Sequence, residues 1–169
     1  MDAKLTEIFR ELDESRADLD AAVDAVAPDR RLVAPGPDQW SVAQVLEHLV
    51  ITEQRITGLL QKLIDEAKGN PPTELPPPSD FDMRRVLDRT SKIKTRNEPS
   101  GMMPVGMSLK GLDVVRAKLK STVSGEHGVN LATISAPHFV FGQLTVYEWI
   151  QFVGSHMRRH AAQIRELSE

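Results

Sequence analysis

Cysteine is absent from this 169-residue chain. Its absence excludes disulfides, thiolate metal ligands and a cysteine nucleophile, and it fits a reducing compartment. Any thiol chemistry must therefore draw on an external thiol. Dense clusters of lysine and arginine are also missing. Acids and bases are interspersed and the formal charge is -3, so there is no electrostatic footprint for a phosphate backbone. No nucleic-acid partner is expected. No apolar run approaches the roughly 20 residues that span a bilayer, and the opening Met1-Asp2-Ala3-Lys4-Leu5 has no basic, apolar leader. The expectation is a soluble, cytoplasmic protein with no membrane partner. No internal repeat and no convincing sheet stand out. The length suits one domain, residues 1–169, large enough to bury a core without staples.

What is present is helical periodicity. Leu5, Ile8, Phe9, Leu12, Leu19, Val23 and Val26 recur at steps of three, four and seven, which predicts a helix over about residues 3–26 with one apolar stripe. Pro28, Pro35, Gly36 and Pro37 close it. Ser41 and Gln44 then match a Ser-x-x-Gln capping box, with Trp40 and Val45 as a hydrophobic staple, and open a helix over about residues 42–67 that Gly69 and Asn70 stop. Five prolines within residues 71–78 mark an extended surface crossover. A short helix over about residues 81–90 is expected after it, capped by Ser79 with Asp82 three residues on.

Residues 96–107 read as a loop whose Met102, Met103 and Met107 act as packing or pocket lining. Ser108 is expected to cap a helix reaching about Ser124, ended by Gly125 and Gly128. Residues 130–141 contain strand-like side chains, yet Pro137 and Gly142 interrupt them, so a returning loop is expected. Thr145 and Glu148 form a second capping box, and a last helix should run to about Leu167. The fold class is all-α: a four-helix bundle with a proline-rich crossover and one short extra helix. In such a bundle a long crossover lets the second and third long helices run parallel, with the fourth antiparallel to the second.

Three histidines then become the candidate site. His156 and His160 stand four residues apart in His156-Met-Arg-Arg-His160, which puts both imidazoles on one helix face. His48, early in the second helix, can lie level with them across an antiparallel pair. Three imidazole nitrogens leave a coordination position open, as in catalytic zinc sites, where the ion acidifies bound water or stabilises a thiolate. The competing reading is that a four-residue histidine spacing recurs by chance on many helices. Glu47 points about 100 degrees away from His48 around the helix, which leaves its role open. His127 and His138, in predicted loops, are assigned to structural or surface roles and not to the metal.

Three blocks in order carry a family resemblance: Trp40-Ser-Val-Ala-Gln-Val-Leu-Glu-His48-Leu; His138-Phe-Val-Phe-Gly142-Gln-Leu-Thr145-Val-Tyr-Glu148-Trp149; and His156-Met-Arg-Arg-His160-Ala-Ala-Gln163-Ile164. Together, over nearly the whole chain, they resemble the DinB-like or YfiT-like family of metalloenzymes. The resemblance implies an up-down-down-up bundle, often dimeric, in which His48, His156 and His160 hold zinc, nickel or a similar divalent ion. Phe139 departs from the proline common at that position, which affects the loop and not the ligands. Characterised relatives include a bacillithiol S-transferase and a mycothiol-dependent maleylpyruvate isomerase. The implied function is a metal-dependent enzyme acting on a small-molecule substrate, activating water or a low-molecular-weight thiol, with thiol S-transfer preferred. A non-catalytic, metal-stabilised helical dimer or stress-response binding module is the alternative.

Overall fold

The computed structural model describes residues 2–95, 98–125 and 127–168. Helix α1 (Ala3–Asp24) is followed by a turn of 3-10 helix at Pro28–Arg30, then by α2 (Val42–Gly69), a five-residue α3 (Met83–Leu87) and α4 (Val105–Ser124). Strands β1 (Ser135–His138) and β2 (Gly142–Thr145) lead into α5 (Val146–Glu166). The four long helices match the periodicity to within a few residues at their ends. Both capping boxes form: Ser41 with Gln44 fixes the first turn of α2, and Thr145 with Glu148 that of α5. Each satisfies two backbone N–H groups that the first turn leaves without intrahelical partners.

Helix directions can be read from which residues meet. Tyr147 reaches Asp2, Arg158 reaches Glu14 and Arg165 reaches Asp18; numbers rise together, so α1 and α5 are parallel. Arg116 meets Glu53 and Thr122 meets Gln61, so α2 and α4 are parallel. Arg16 pairs with Asp113 and Asp13 with Lys120, which sets α1 against α4. The order is up-down-down-up. Apolar faces of these helices meet in two clusters, one around Leu12, Leu60, Leu119 and Ile150, the other around Leu19, Leu46, Leu112 and Ile164.

Two parallel helices consecutive in the bundle need a return path, and residues 70–95 carry the chain along α5. Ser79 donates to Glu148, Arg159 donates to the carbonyls of Val86, Asp88 and Ser91, and Arg89 forks onto the two Glu166 oxygens through Nε and Nη2, each at 3.0 Å. The chain thus climbs from the N-terminal end of α5 to its C-terminal end. At the top, Glu47 on α2 accepts from Ser100 N, Ser100 Oγ and Gly101 N at 3.2, 2.8 and 2.7 Å. Gly101 has φ +74° and lies so close to Gln44 that an added Cβ would sit 2.9 Å from its Cγ. Only glycine fits there without displacement.

Three expectations change. The short helix is Met83–Leu87 and its cap is Asp82, which accepts from Arg84 N at 2.9 Å. Ser79 donates to Glu148 and accepts from Phe81 N at 3.3 Å, two residues before the helix begins, and the Arg159 bonds to the Val86 and Asp88 carbonyls hold the chain extended beyond Leu87. Helix α4 starts at Val105 with Pro104 as its cap, not at Ser108, because the Pro104 carbonyl already accepts from Met107 N and Ser108 N, both at 3.0 Å. Ser108 is instead inside the helix and fully buried. Met107 accordingly belongs to α4, and Met102 and Met107 face solvent at 85% and 62% exposure rather than filling the core or a pocket. Arg96 and Asn97, at the start of the expected loop, lie outside the described residues.

The third change is the β1–β2 hairpin, where a loop was expected. Ser135 pairs with Thr145, Ala136 with Leu144 and His138 with Gly142. Pro137 and Gly142 do not interrupt it. A two-stranded ribbon is all edge, so a proline lacking its N–H is tolerated, and Gly142 takes φ +72° to close a three-residue turn. The hairpin packs on α5 through Leu144 and Phe141, while Trp149 Nε1 donates to Ala136 O at 3.3 Å.

Candidate metal centre

His48 lies in the second turn of α2, whose start the Ser41–Gln44 box locks. His156 and His160 lie one turn apart on α5. Because α2 and α5 are antiparallel, the early turns of one stand level with the later turns of the other. His156 Nε2 is 3.3 Å from His48 Nε2 and 3.1 Å from His160 Nε2. One ligand atom from each of the three falls within 4.8 Å of the others. The expected trio therefore meets, drawn from two separate helices. His48 and His160 are each 7% exposed, and His156 is half-buried.

Burial determines their charge. It pushes His48 down to about 4 and His160 down to about 3. His156 is held well below the usual imidazole range by burial and then by His160, His48 and Arg159. All three rings are neutral near pH 7, the form in which imidazole ligates a metal. Tetrahedral coordination with bonds of about 2.0–2.1 Å separates ligand nitrogens by about 3.3–3.4 Å, close to the two separations found. A buried convergence of nitrogen lone pairs is unfavourable alone and favourable around a cation, so the residues fit a divalent ion.

Aromatic side chains wall the trio. The Trp40 ring centroid is 5.0 Å from that of His48 and 6.4 Å from that of His160, nearly parallel to the latter. Phe152 stacks on His156 at 5.4 Å and 20°. Gln163 Oε1 accepts from His160 Nδ1 at 2.7 Å. Sequence reasoning used Trp40 only as a staple, gave Gln163 no role and missed Phe152. The signal was available: Phe152, His156, His160 and Gln163 follow one another at four, four and three along α5, a single helix face. Glu47 is committed elsewhere. Burial opposes its charge, yet the bonds from Ser100 Oγ, Gly101 N and Ser100 N hold its carboxyl below the usual range.

His138 stays apart from the trio, as expected, and it is buried at 6% exposure among Phe141, Trp149 and Phe152. Its Nδ1 accepts from Val140 N at 3.1 Å, and burial pushes it down to about 4 from 6.5. The unfolded imidazole gains its proton near pH 6.5, the folded one only near 4, so the neutral ring's contribution is complete above 6.5 and lost as pH falls to about 4. The difference amounts to about 3 kcal/mol. His138→Asn, whose amide oxygen can take the Val140 bond, is expected to lose about 2–3 kcal/mol less stability than wild type between pH 7 and 4.5. Urea unfolding at the two pH values checks this; equal losses in both proteins would show His138 protonating freely in the fold. His127, beyond the end of α4, is half-buried and outside the trio; its neighbour Glu126 lies outside the described residues.

An up-down-down-up bundle with inward histidines on its second and last long helices defines a helical protein with a candidate metal site. The chain belongs to the DinB superfamily, whose family pattern matches residues 11–164. It is also similar to YuaE of Bacillus subtilis (strain 168), an uncharacterized protein, at 29% identity over 136 residues, covering 80% of this chain and 81% of YuaE. No helix among the described residues is long and apolar enough to cross a membrane.

Proposed function

We propose that the protein is a metal-dependent enzyme that uses His48, His156 and His160 to hold a zinc or nickel ion and transfers a low-molecular-weight thiol to a small electrophilic substrate. The observation that carries this reading is the trio itself, with no fourth histidine or carboxylate joining it among the described residues. That donor set leaves room for an exogenous ligand. When bound, the ion would supply a Lewis acid that lowers the pKa of a coordinated thiol or water. The chain's own part is to present three neutral nitrogens from rigid helices and to keep bulk water off them with Trp40 and Phe152. Glu47 is tied to the 100–101 turn and is not available as a proton carrier. A thiol needs less help than water, because its ordinary pKa of about 8.5 already lies close to neutrality. The absence of cysteine from the chain makes the thiol a cosubstrate.

In the transfer, the thiol gives up its proton and a sulfur–carbon bond forms as a carbon–halogen bond breaks to release halide, or as an epoxide carbon–oxygen bond breaks and the freed oxygen takes up a proton. Metal-loaded protein incubated with several cellular thiols and a panel of alkyl halides and epoxides is expected to consume both reactants in equal amounts. His156→Ala is expected to reduce that turnover to background. Hydrolysis without any thiol would point to water as the nucleophile. Tight stoichiometric metal with no turnover on either route would favour the structural, metal-stabilised module.

A further inference from the structure

We propose that Gln163 is a positioning residue that fixes the tautomer of His160 and leaves the charge of the bound cation undiluted; this rests on the reading of the trio as a metal site. Gln163 follows His160 by three residues on α5, and its Oε1 lies 2.7 Å from His160 Nδ1. An amide oxygen only accepts, so the imidazole proton must reside on Nδ1. The Nε2 lone pair is then free and points at His156 Nε2, 3.1 Å away. Without that acceptor, the buried ring can place its proton on Nε2 and withdraw one of the three donors.

Of the three trio rings, His160 alone has a hydrogen-bond partner on its outer nitrogen among the described residues, so the order of the donor set depends on this bond. The acceptor's chemistry matters as well. A carboxylate in that place would pull the imidazole proton toward itself, make Nε2 more basic and pass negative charge to the site. A neutral amide orients without doing so. Gln163 therefore sets two properties separately: the amide geometry sets affinity, and the amide's neutrality keeps the cation strongly acidifying toward a fourth ligand.

The test compares Gln163→Leu and Gln163→Glu with wild type. Nitrogen NMR of metal-free protein reads the His160 tautomer directly, and competition with a chelator reads zinc affinity. Wild type and Gln163→Glu are expected to hold the proton on Nδ1. Gln163→Leu is expected to shift it measurably toward Nε2 and to weaken zinc binding about 10–100-fold, with an unchanged metal-free unfolding midpoint. Gln163→Glu is expected to bind zinc at least as tightly as wild type, the rescue that a purely space-filling role would not give. Gln163→Leu with the wild-type tautomer overturns the proposal, as does Gln163→Glu binding as weakly as Gln163→Leu. Should wild type bind no zinc, the metal reading fails, and the tautomer measurement on metal-free protein still decides the role of Gln163.

Discussion

His156→Ala is expected to lower the affinity for a divalent ion by more than about 100-fold, since loss of an outer-shell partner alone costs about 10–100-fold. His156 is the hinge of the trio: its Nε2 is the atom within 3.3 Å of His48 and 3.1 Å of His160. Removing it leaves two donors on different helices, too few to displace the hydration of a dication. The same change is expected to spare the fold, because the ring is half-buried and packs against His48, His160 and the equally half-buried Phe152. The two effects separate in one experiment. Zinc at 100 times its dissociation constant stabilises wild type by about 2.7 kcal/mol, which for a chain of this size raises Tm by roughly 5–10 °C. His156→Ala should melt near metal-free wild type and show no zinc-dependent rise. A full rise in the variant would mean that the ion binds elsewhere.

The largest loss of stability is expected at Arg116. Its guanidinium donates through Nε and Nη2 to the two Glu53 oxygens at 2.6 and 3.2 Å, through Nη1 to Leu12 O at 2.8 Å, and meets Met157 Sδ at 3.6 Å. One side chain from α4 thereby ties α2, α1 and α5 at a single level. The Arg116 and Glu53 side chains are only 9% and 3% exposed, so neither charge has solvent to fall back on. Arg116→Met leaves the Glu53 carboxylate buried without its partner and is expected to cost about 3–5 kcal/mol. The double variant Arg116→Met with Glu53→Leu removes both charges and is expected to recover most of that. Urea midpoints of the two singles and the double decide it. A double variant no more stable than Arg116→Met alone would show that the pair contributes net stability rather than mainly avoiding an isolated charge.

Level matters for function because Glu53 and Met157 border the same stretch of α2 and α5 as the trio. His156 precedes Met157, and Glu53 follows His48 by five residues. The Arg116 bonds therefore hold the two ligand-bearing helices in register near the site. Farther up, Arg159, adjacent to His160, binds three carbonyls of the crossover. The segment that connects α2 to α4 is thus fastened beside the candidate centre by residues of the ligand helix itself.

Much of this was legible in the chain. The stripe of Leu5, Ile8, Leu12 and Leu19 is buried in α1 as its spacing requires, and both capping boxes open the helices they announced. These are local effects, set by 3.6-residue periodicity and by N–H groups needing partners within one turn. The errors came where local signals conflict with distant ones. Ser108 looks like a cap, but Pro104 had already fixed the helix start. Pro137 and Gly142 look like breakers, yet pairing with the opposite strand and packing on α5 turn the same residues into a ribbon and its turn. Ser79 accepts from Phe81 N, ahead of the helix, and the carboxylate of Asp82 takes the Arg84 N–H at the start of α3.

The sequence by itself determined four amphipathic helices, where two of them begin, the lack of any internal thiol, and a histidine pair on one face of the last helix. Tertiary structure alone decided that His48 meets that pair, that Gln163 orients one of the rings, and that Glu47 serves the crossover rather than the site. The division has a physical reason. Helix formation is a nearest-turn property written in spacing, whereas a metal-binding triangle is a property of how two helices slide past one another. Here that sliding is fixed by Arg116, by the fastened crossover and by packing between residues far apart in the chain.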